Sequence, residues 1–198
     1  MTADRLRIAA LVLAAGSSRR LGKPKQLLPY GDSTLLGETL GGVRRFAFDQ
    51  RIVALGGAAR EVRNMVDLSD FTIVDNVHHT DGCSSSIVAA IDEVADAMDG
   101  FFLFLGDQPH IPGAAVDGLR AAARRAPLAV VSYRDGRGHP FWFHRSLFGA
   151  LRELHGDKAV WKLLESGLWP TEEVTVAADV PLDVDTWDDY QQLLAAHP

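Results

Sequence analysis

The stretch I-A-A-L-V-L-A-A-G-S-S-R-R-L-G-K-P-K-Q-L-L-P, residues 8–29, decides the fold. Residues 8–13 are apolar without a break, the pattern of a strand buried on both faces in a sheet that helices cover. The run ends in small residues and cations that continue into a patterned chain. It therefore predicts a core strand feeding a loop, not a leader peptide. Nor is it a membrane span, which needs roughly 18 apolar residues.

Outward from that strand, short apolar runs alternate with helical spacing. Residues 51–55, 71–74, 101–105 and 128–132 predict further strands. Residues 33–48, 84–98 and 114–125 predict amphipathic helices, with Ile87, Ile91, Val94 and Met98 on one face of the second. This alternation predicts an α/β fold: one mostly parallel, Rossmann-like sheet with helices on both faces. After residue 134 the pattern changes. Residues 139–143 predict an extended segment, and Pro140 suggests an edge position. Helices are expected at 146–154, 158–166 and 187–196, and a strand at 172–176. Without linker or repeat, residues 1–198 are expected to form one domain: a nucleotide-binding part to about 132 and an acceptor-binding elaboration at about 133–198.

The chain has 198 residues and a net charge of −6, with 26 acidic against 20 basic side chains. That balance argues against broad nucleic-acid binding, which needs a basic face. The single cysteine excludes an internal disulfide framework and fits a reducing compartment, so a cytoplasmic, membrane-free protein is expected.

In open parallel sheets ligands lie at the carboxyl ends of the strands. After strand 1 come Leu13, Ala14, Ala15, Gly16, Ser17 and Ser18, then Arg19, Lys23 and Lys25. Small residues let backbone N–H groups approach anionic oxygens, and the cations neutralise them, as a polyphosphate requires. The spacing fits neither a P-loop nor a G-x-G-x-x-G turn. Asp107, in G-D-Q-P after residues 101–105, is either a Mg²⁺ ligand or a turn and capping residue. Asp183 and Asp185 alternate in P-L-D-V-D-T and should share a face; Asp185 or Thr186 could instead cap the closing helix. Gly82, Ser84 and Ser85 precede or open a helix, where N–H groups and hydroxyls suit a nucleotide. The sequence alone indicates no base to activate Cys83, so loop lining is favoured over a catalytic thiol. The aromatics at 141–143 are favoured as core over a surface for a planar ligand.

The blocks L-A-A-G-S-S-R-R-L-G-K-P-K-Q-L-L-P, D-G-C-S-S-S-I (81–87), L-G-D-Q-P (105–109), G-R-G-H-P-F-W-F (136–143), L-H-G-D-K-A-V-W-K-L-L (154–164) and P-L-D-V-D-T-W-D-D-Y (181–190) resemble those of MobA-like nucleotidyltransferases. The likeness spans essentially the whole chain and is greatest to the molybdenum cofactor cytidylyltransferase branch. It implies Mg²⁺-dependent transfer of CMP from CTP to the phosphate of molybdopterin. It implies catalytic roles for Arg19 and Lys25, a metal on Asp107 and Asp185, and an acceptor near His139, Asp157, Lys158 and Asp183. A molybdenum hydroxylase of the xanthine or carbon monoxide dehydrogenase type would receive the product. Ala15, where the guanylyl branch has Gly, leans the reading to cytosine. Trp187 departs from the family, where Pro is usual. The alternatives are GTP as donor, a sugar or polyol phosphate as acceptor, or a non-catalytic cofactor carrier. As cleft-surface residues, Lys25 and Asp107 are expected to be replaceable at a stability cost within about 1 kcal/mol.

Overall fold

In the computed structural model, which describes residues 5–156 and 158–196, the opening run forms strand β1 (Ile8–Ala14), buried along its whole length. Its alternate residues feed two different cores. Ile8, Ala10, Val12 and Ala14 join one cluster; Ala9, Leu11 and Leu13 join the other on the opposite face. An apolar run without alternation is therefore what this position requires: each face of the strand meets its own helical layer.

The other main strands are β4 (Gln50–Leu55), β5 (Thr72–Asp75), β6 (Gly100–Leu105), β7 (Leu128–Ser132), β8 (Arg137–His144) and β9 (Thr171–Thr175). Two short strands, β2 (Pro29–Tyr30) and β3 (Ser33–Thr34), pair apart from them in a tight hairpin. The large sheet has seven strands in the order β5-β4-β1-β6-β8-β7-β9. β8 alone runs against its neighbours β6 and β7, and β9 is again parallel to β7. The mostly parallel expectation holds.

One expectation does not. Pro140 suggested an edge, yet β8 lies inside the sheet. Pairing with β6 runs from His144 to Phe141 and stops there, and the pairing with β7 shifts register between Val130 and Val131, opposite residues 139–140. The residue without an N–H thus sits at a bulge, where no ladder bond is required of it. Phe141, Trp142 and Phe143 are fully buried, so they are core. Each such side chain stabilises the fold by roughly 1.5–3 kcal/mol relative to exposure.

Helices α1 (Leu35–Arg44), α2 (Ala59–Met65) and α4 (Gly113–Ala122) cover one face of the sheet. Helices α3 (Cys83–Ile91), α5 (Phe148–Arg152) and α6 (Ala159–Glu165) cover the other. α1 starts where Thr34 accepts a hydrogen bond from the Gly37 N–H, 3.0 Å. Helix α7 (Trp187–Ala196) closes the chain, packing Tyr190 and Leu193 against Leu21, Leu28 and Tyr30. This places the segment 181–186 beside the loop that leaves β1. Among the described residues no helix is long and apolar enough to cross a membrane.

Candidate active site

β4 and β6 flank β1 on opposite sides, so the chain leaves β1 at the point where the strand order reverses. Such a point opens a crevice at the carboxyl ends of the strands. A cleft of about 620 Å³ lies there. Residues 13–18 form one wall, Gly82 and Cys83 another, and Asp107, His139, Asp183 and Asp185 close it from the β6, β8 and C-terminal sides.

The first loop is held from below. Ser18 takes a positive φ of 49°, and its carbonyl accepts from the N–H groups of Leu21 and Gly22. Its hydroxyl accepts from the Lys25 N–H at 2.9 Å. Buried Gln26 donates from Nε2 to the carbonyls of Ala14 (2.8 Å) and Gly16 (2.9 Å). The N–H groups of Gly16, Ser17 and Ser18 make no hydrogen bond among the described residues. Gly56 is required beneath this loop, because a Cβ there would lie 2.5 Å from the Ala15 carbonyl oxygen and 2.8 Å from the His79 Cβ.

Lys25 is the hub of the charged groups. Its ammonium donates to Asp107 at 2.5 Å and to Asp185 at 2.9 Å, and Arg20 holds the other oxygen of Asp185 at 3.0 Å. Burial pulls the Lys25 pKa down, but the charge of Asp107 and the hydrogen bonds to both carboxylates outweigh it and hold it above its ordinary value. The hydrogen bond from Lys25 leads in holding Asp185 below the usual carboxylate range. One ammonium reaching both carboxylates means that both can address a single cation. Among the described residues no group of three or more protein ligands is preformed. A pair of carboxylates completed by phosphate oxygens and water is the donor set that Mg²⁺ or Mn²⁺ accepts.

Asp185 is left available to the cleft because Thr186 caps α7. The Asp189 carboxylate accepts from the N–H groups of Asp185 (3.1 Å) and Thr186 (2.7 Å), and the Thr186 hydroxyl accepts from the Asp189 N–H. Val184 between the two cleft aspartates is fully buried, as alternation requires. Asp183 accepts from Gln108 Nε2 at 2.6 Å. Burial first, then the charge of Asp107, pushes its carboxyl up to about 6.

Several sequence-named residues lie elsewhere. Ser84 and Ser85 do not line the cleft; the helical repeat turns Cys83 and Ser86 toward it instead. Ser85 bonds the Gly82 carbonyl and accepts from Asn76. Lys23 lines an adjoining cavity of about 380 Å³ with Arg19, its ammonium 4.7 Å from the Trp187 ring centre. Lys158 is exposed at the start of α6, outside the cleft. Asp157 lies outside the described residues. Arg19 lines the cleft, yet the neighbouring Arg20 makes the ion pair with Asp185. Gln26, His79, Ser86, Gln108 and Trp161 are cleft residues that sequence reasoning did not single out. Only Ser86, three positions from Cys83, carried a usable signal.

His139 sits in the wall with its ring 4.7 Å from that of Phe141, edge to face. Burial lowers its pKa to about 3, so the imidazole is neutral at physiological pH. A histidine with a depressed native pKa binds fewer protons than its unfolded counterpart between about 6.5 and 3. Its stabilising contribution is therefore full above about 6.5 and is lost as the pH falls toward 3. In His139→Asn, melting temperature measured from pH 7 to 4 should fall less steeply than in the wild type. An unchanged slope would remove this assignment.

Residues 10–173 match the MobA-like NTP transferase domain. The chain belongs to that family. As a MobA-like protein it is a nucleotidyltransferase. A crystal structure of the Rv0371c homologue from Mycobacterium sp. strain JC1 is 55% identical and superimposes with a TM-score of 0.91, covering 98% of both chains. Rv0371c from Mycobacterium tuberculosis, solved with manganese, is 46% identical with a TM-score of 0.84, over 96% of this chain and 99% of that one. Among named relatives, nicotine blue oxidoreductase of Paenarthrobacter nicotinovorans is 27% identical (94% of this chain, 96% of the relative). Molybdenum cofactor cytidylyltransferase of Escherichia coli K12 is also 27% identical (92% and 93%).

Proposed function

We propose that this MobA-like protein transfers the CMP group of CTP to the phosphate of molybdopterin. The observation that carries the reading is the meeting of unengaged loop N–H groups, the Lys25 ammonium and the Asp107–Asp185 carboxylates in one crevice. An acceptor phosphate oxygen attacks the α-phosphorus, the bond from that phosphorus to the bridging oxygen breaks, and pyrophosphate leaves with the electron pair. The attacking oxygen is already ionised, so no side chain must remove a proton.

The protein's work is positioning and charge stabilisation. The N–H groups of Gly16, Ser17 and Ser18 bind phosphate oxygens, and Lys25 and Arg19 offset the charge that develops on them. Asp107 and Asp185 would hold Mg²⁺, which when bound neutralises phosphate charge and polarises the α-phosphoryl group. At the other end, His139, Arg137 and Trp161 border the space for the acceptor. The resemblance to the cytidylyl branch at Ala15 favours CTP over GTP. A molybdenum hydroxylase of the xanthine or carbon monoxide dehydrogenase type is the receiving protein on this reading.

The test incubates purified protein with molybdopterin, Mg²⁺ or Mn²⁺, and CTP, GTP or ATP in turn, following pyrophosphate. Pyrophosphate released fastest with CTP, together with the cytosine dinucleotide, is the expected result. Turnover with a sugar or polyol phosphate but not with molybdopterin would replace the acceptor. Tight binding of the dinucleotide without pyrophosphate from any triphosphate would make the protein a carrier.

A further inference from the structure

We propose that Gln26 is a positioning residue that sets the shape of the phosphate-binding loop, an inference that rests on the nucleotide reading above. Gln26 is only 3% exposed, although it belongs to the short 3-10 turn Lys25–Leu27 beside the cleft. Its Nε2 donates to the carbonyls of Ala14 and Gly16, clamping the loop at two points two residues apart. In a planar trans peptide the C=O and the following N–H point in opposite directions. Drawing the Gly16 carbonyl toward Gln26 therefore turns the Ser17 N–H the other way, and the Ala14 carbonyl does the same for Ala15. The clamp thus aims the Ser17 N–H away from Gln26 and the protein interior, and among the described residues no protein acceptor takes it.

The orientation of the amide follows from its partners. Flipped, Oε1 would face two carbonyl oxygens, so Nε2 must point at them. Oε1 is then buried with no partner among the described residues. A site built only for packing would avoid that orphan acceptor, since an apolar side chain of the same length fills the space without it. The donors are the one thing glutamine supplies here. The same turn also carries Lys25, whose N–H bonds Ser18 Oγ and whose ammonium reaches Asp107. Adjacent residues of one turn therefore shape the anion cradle and place its cation.

The test uses Gln26→Met, which keeps length and volume and removes the donors and the orphan acceptor together. Inorganic triphosphate is titrated into each protein by calorimetry, and KM is measured for nucleotide and acceptor separately. Triphosphate affinity should fall about tenfold or more and nucleotide KM should rise to match. Acceptor KM should stay near wild type, and the two carbonyls left without their donor should lower the melting temperature by a few degrees at most. Triphosphate affinity within about twofold of wild type overturns the role of Gln26 alone, and so does a lower melting temperature with affinity kept. A wild type that binds no triphosphate overturns the nucleotide reading, and this inference with it. If the methionine variant does not fold, Gln26→Leu, an apolar side chain that likewise offers no donor, is read by the same criteria.

Discussion

Replacing Lys25 with methionine is expected to reduce turnover by about 10²–10³-fold, the usual effect of deleting a fixed charge that stabilises a transition state. The same change should destabilise the ligand-free protein by about 2 kcal/mol. That exceeds the sequence-based expectation for a cleft-surface residue, and the structure supplies the reason. The Asp107 side chain is 9% exposed and that of Lys25 only 17%, so removing the ammonium leaves a largely buried carboxylate uncompensated. The pH range of this contribution follows from the shifts. Lys25 is raised above 10.5 in the folded state, so its contribution is present below that value and is lost as the pH rises through its native pKa. Asp185 is lowered, so its share is present above the ordinary carboxylate range and is lost as the pH falls through its native pKa. Denaturant unfolding of both proteins at pH 7, with pyrophosphate assays under saturating substrates, checks both effects. Turnover within tenfold of wild type would remove Lys25 from the chemistry.

The fold was legible where one apolar face or two produced a clear period. β1, β4 and β6 read as unbroken or nearly unbroken apolar runs because helices cover both sides of the sheet, and α3 and α4 showed single apolar stripes. α2 was not legible: of its seven residues only Val62 is buried, so no stripe exists to be seen. The interior place of β8 was hidden because Pro140 argues for an edge unless the bulge opposite it is known, and a bulge is a property of two strands. In the site, residues 13–19 and Lys25 of one contiguous loop fell together while Lys23 turned to an adjoining cavity; Asp183 and Asp185 also met there, since their alternation needs only an extended backbone. Arg20 was not separable from Arg19, since which of two adjacent arginines meets Asp185 depends on the turn at Ser18. Gln26 and Gln108 were invisible for a similar reason: their value lies in which backbone or carboxylate oxygens they reach across the fold.

Asp107→Asn should lower turnover by about 10²–10³-fold as well, with a different signature in stability. Asparagine keeps the volume and a hydrogen-bonding oxygen, and Lys25 still has Asp185 at 2.9 Å. The variant should therefore lose no more than about 1 kcal/mol. On the proposed role, the concentration of Mg²⁺ or Mn²⁺ needed for half-maximal activity should rise about tenfold or more, because a neutral amide is a poor substitute for a carboxylate toward a hard cation. The double variant Lys25→Met with Asp107→Asn sharpens the distinction. Relative to Lys25→Met alone it removes the stranded buried charge, so it should recover about 1–2 kcal/mol of stability. It should recover no turnover, since neither the ammonium nor the metal-side carboxylate returns. A merely structural ion pair would behave otherwise: activity would follow stability back up. Full Mg²⁺-dependent activity in Asp107→Asn, with an unaltered metal requirement, would mean that Asp107 serves only to hold Lys25 in place.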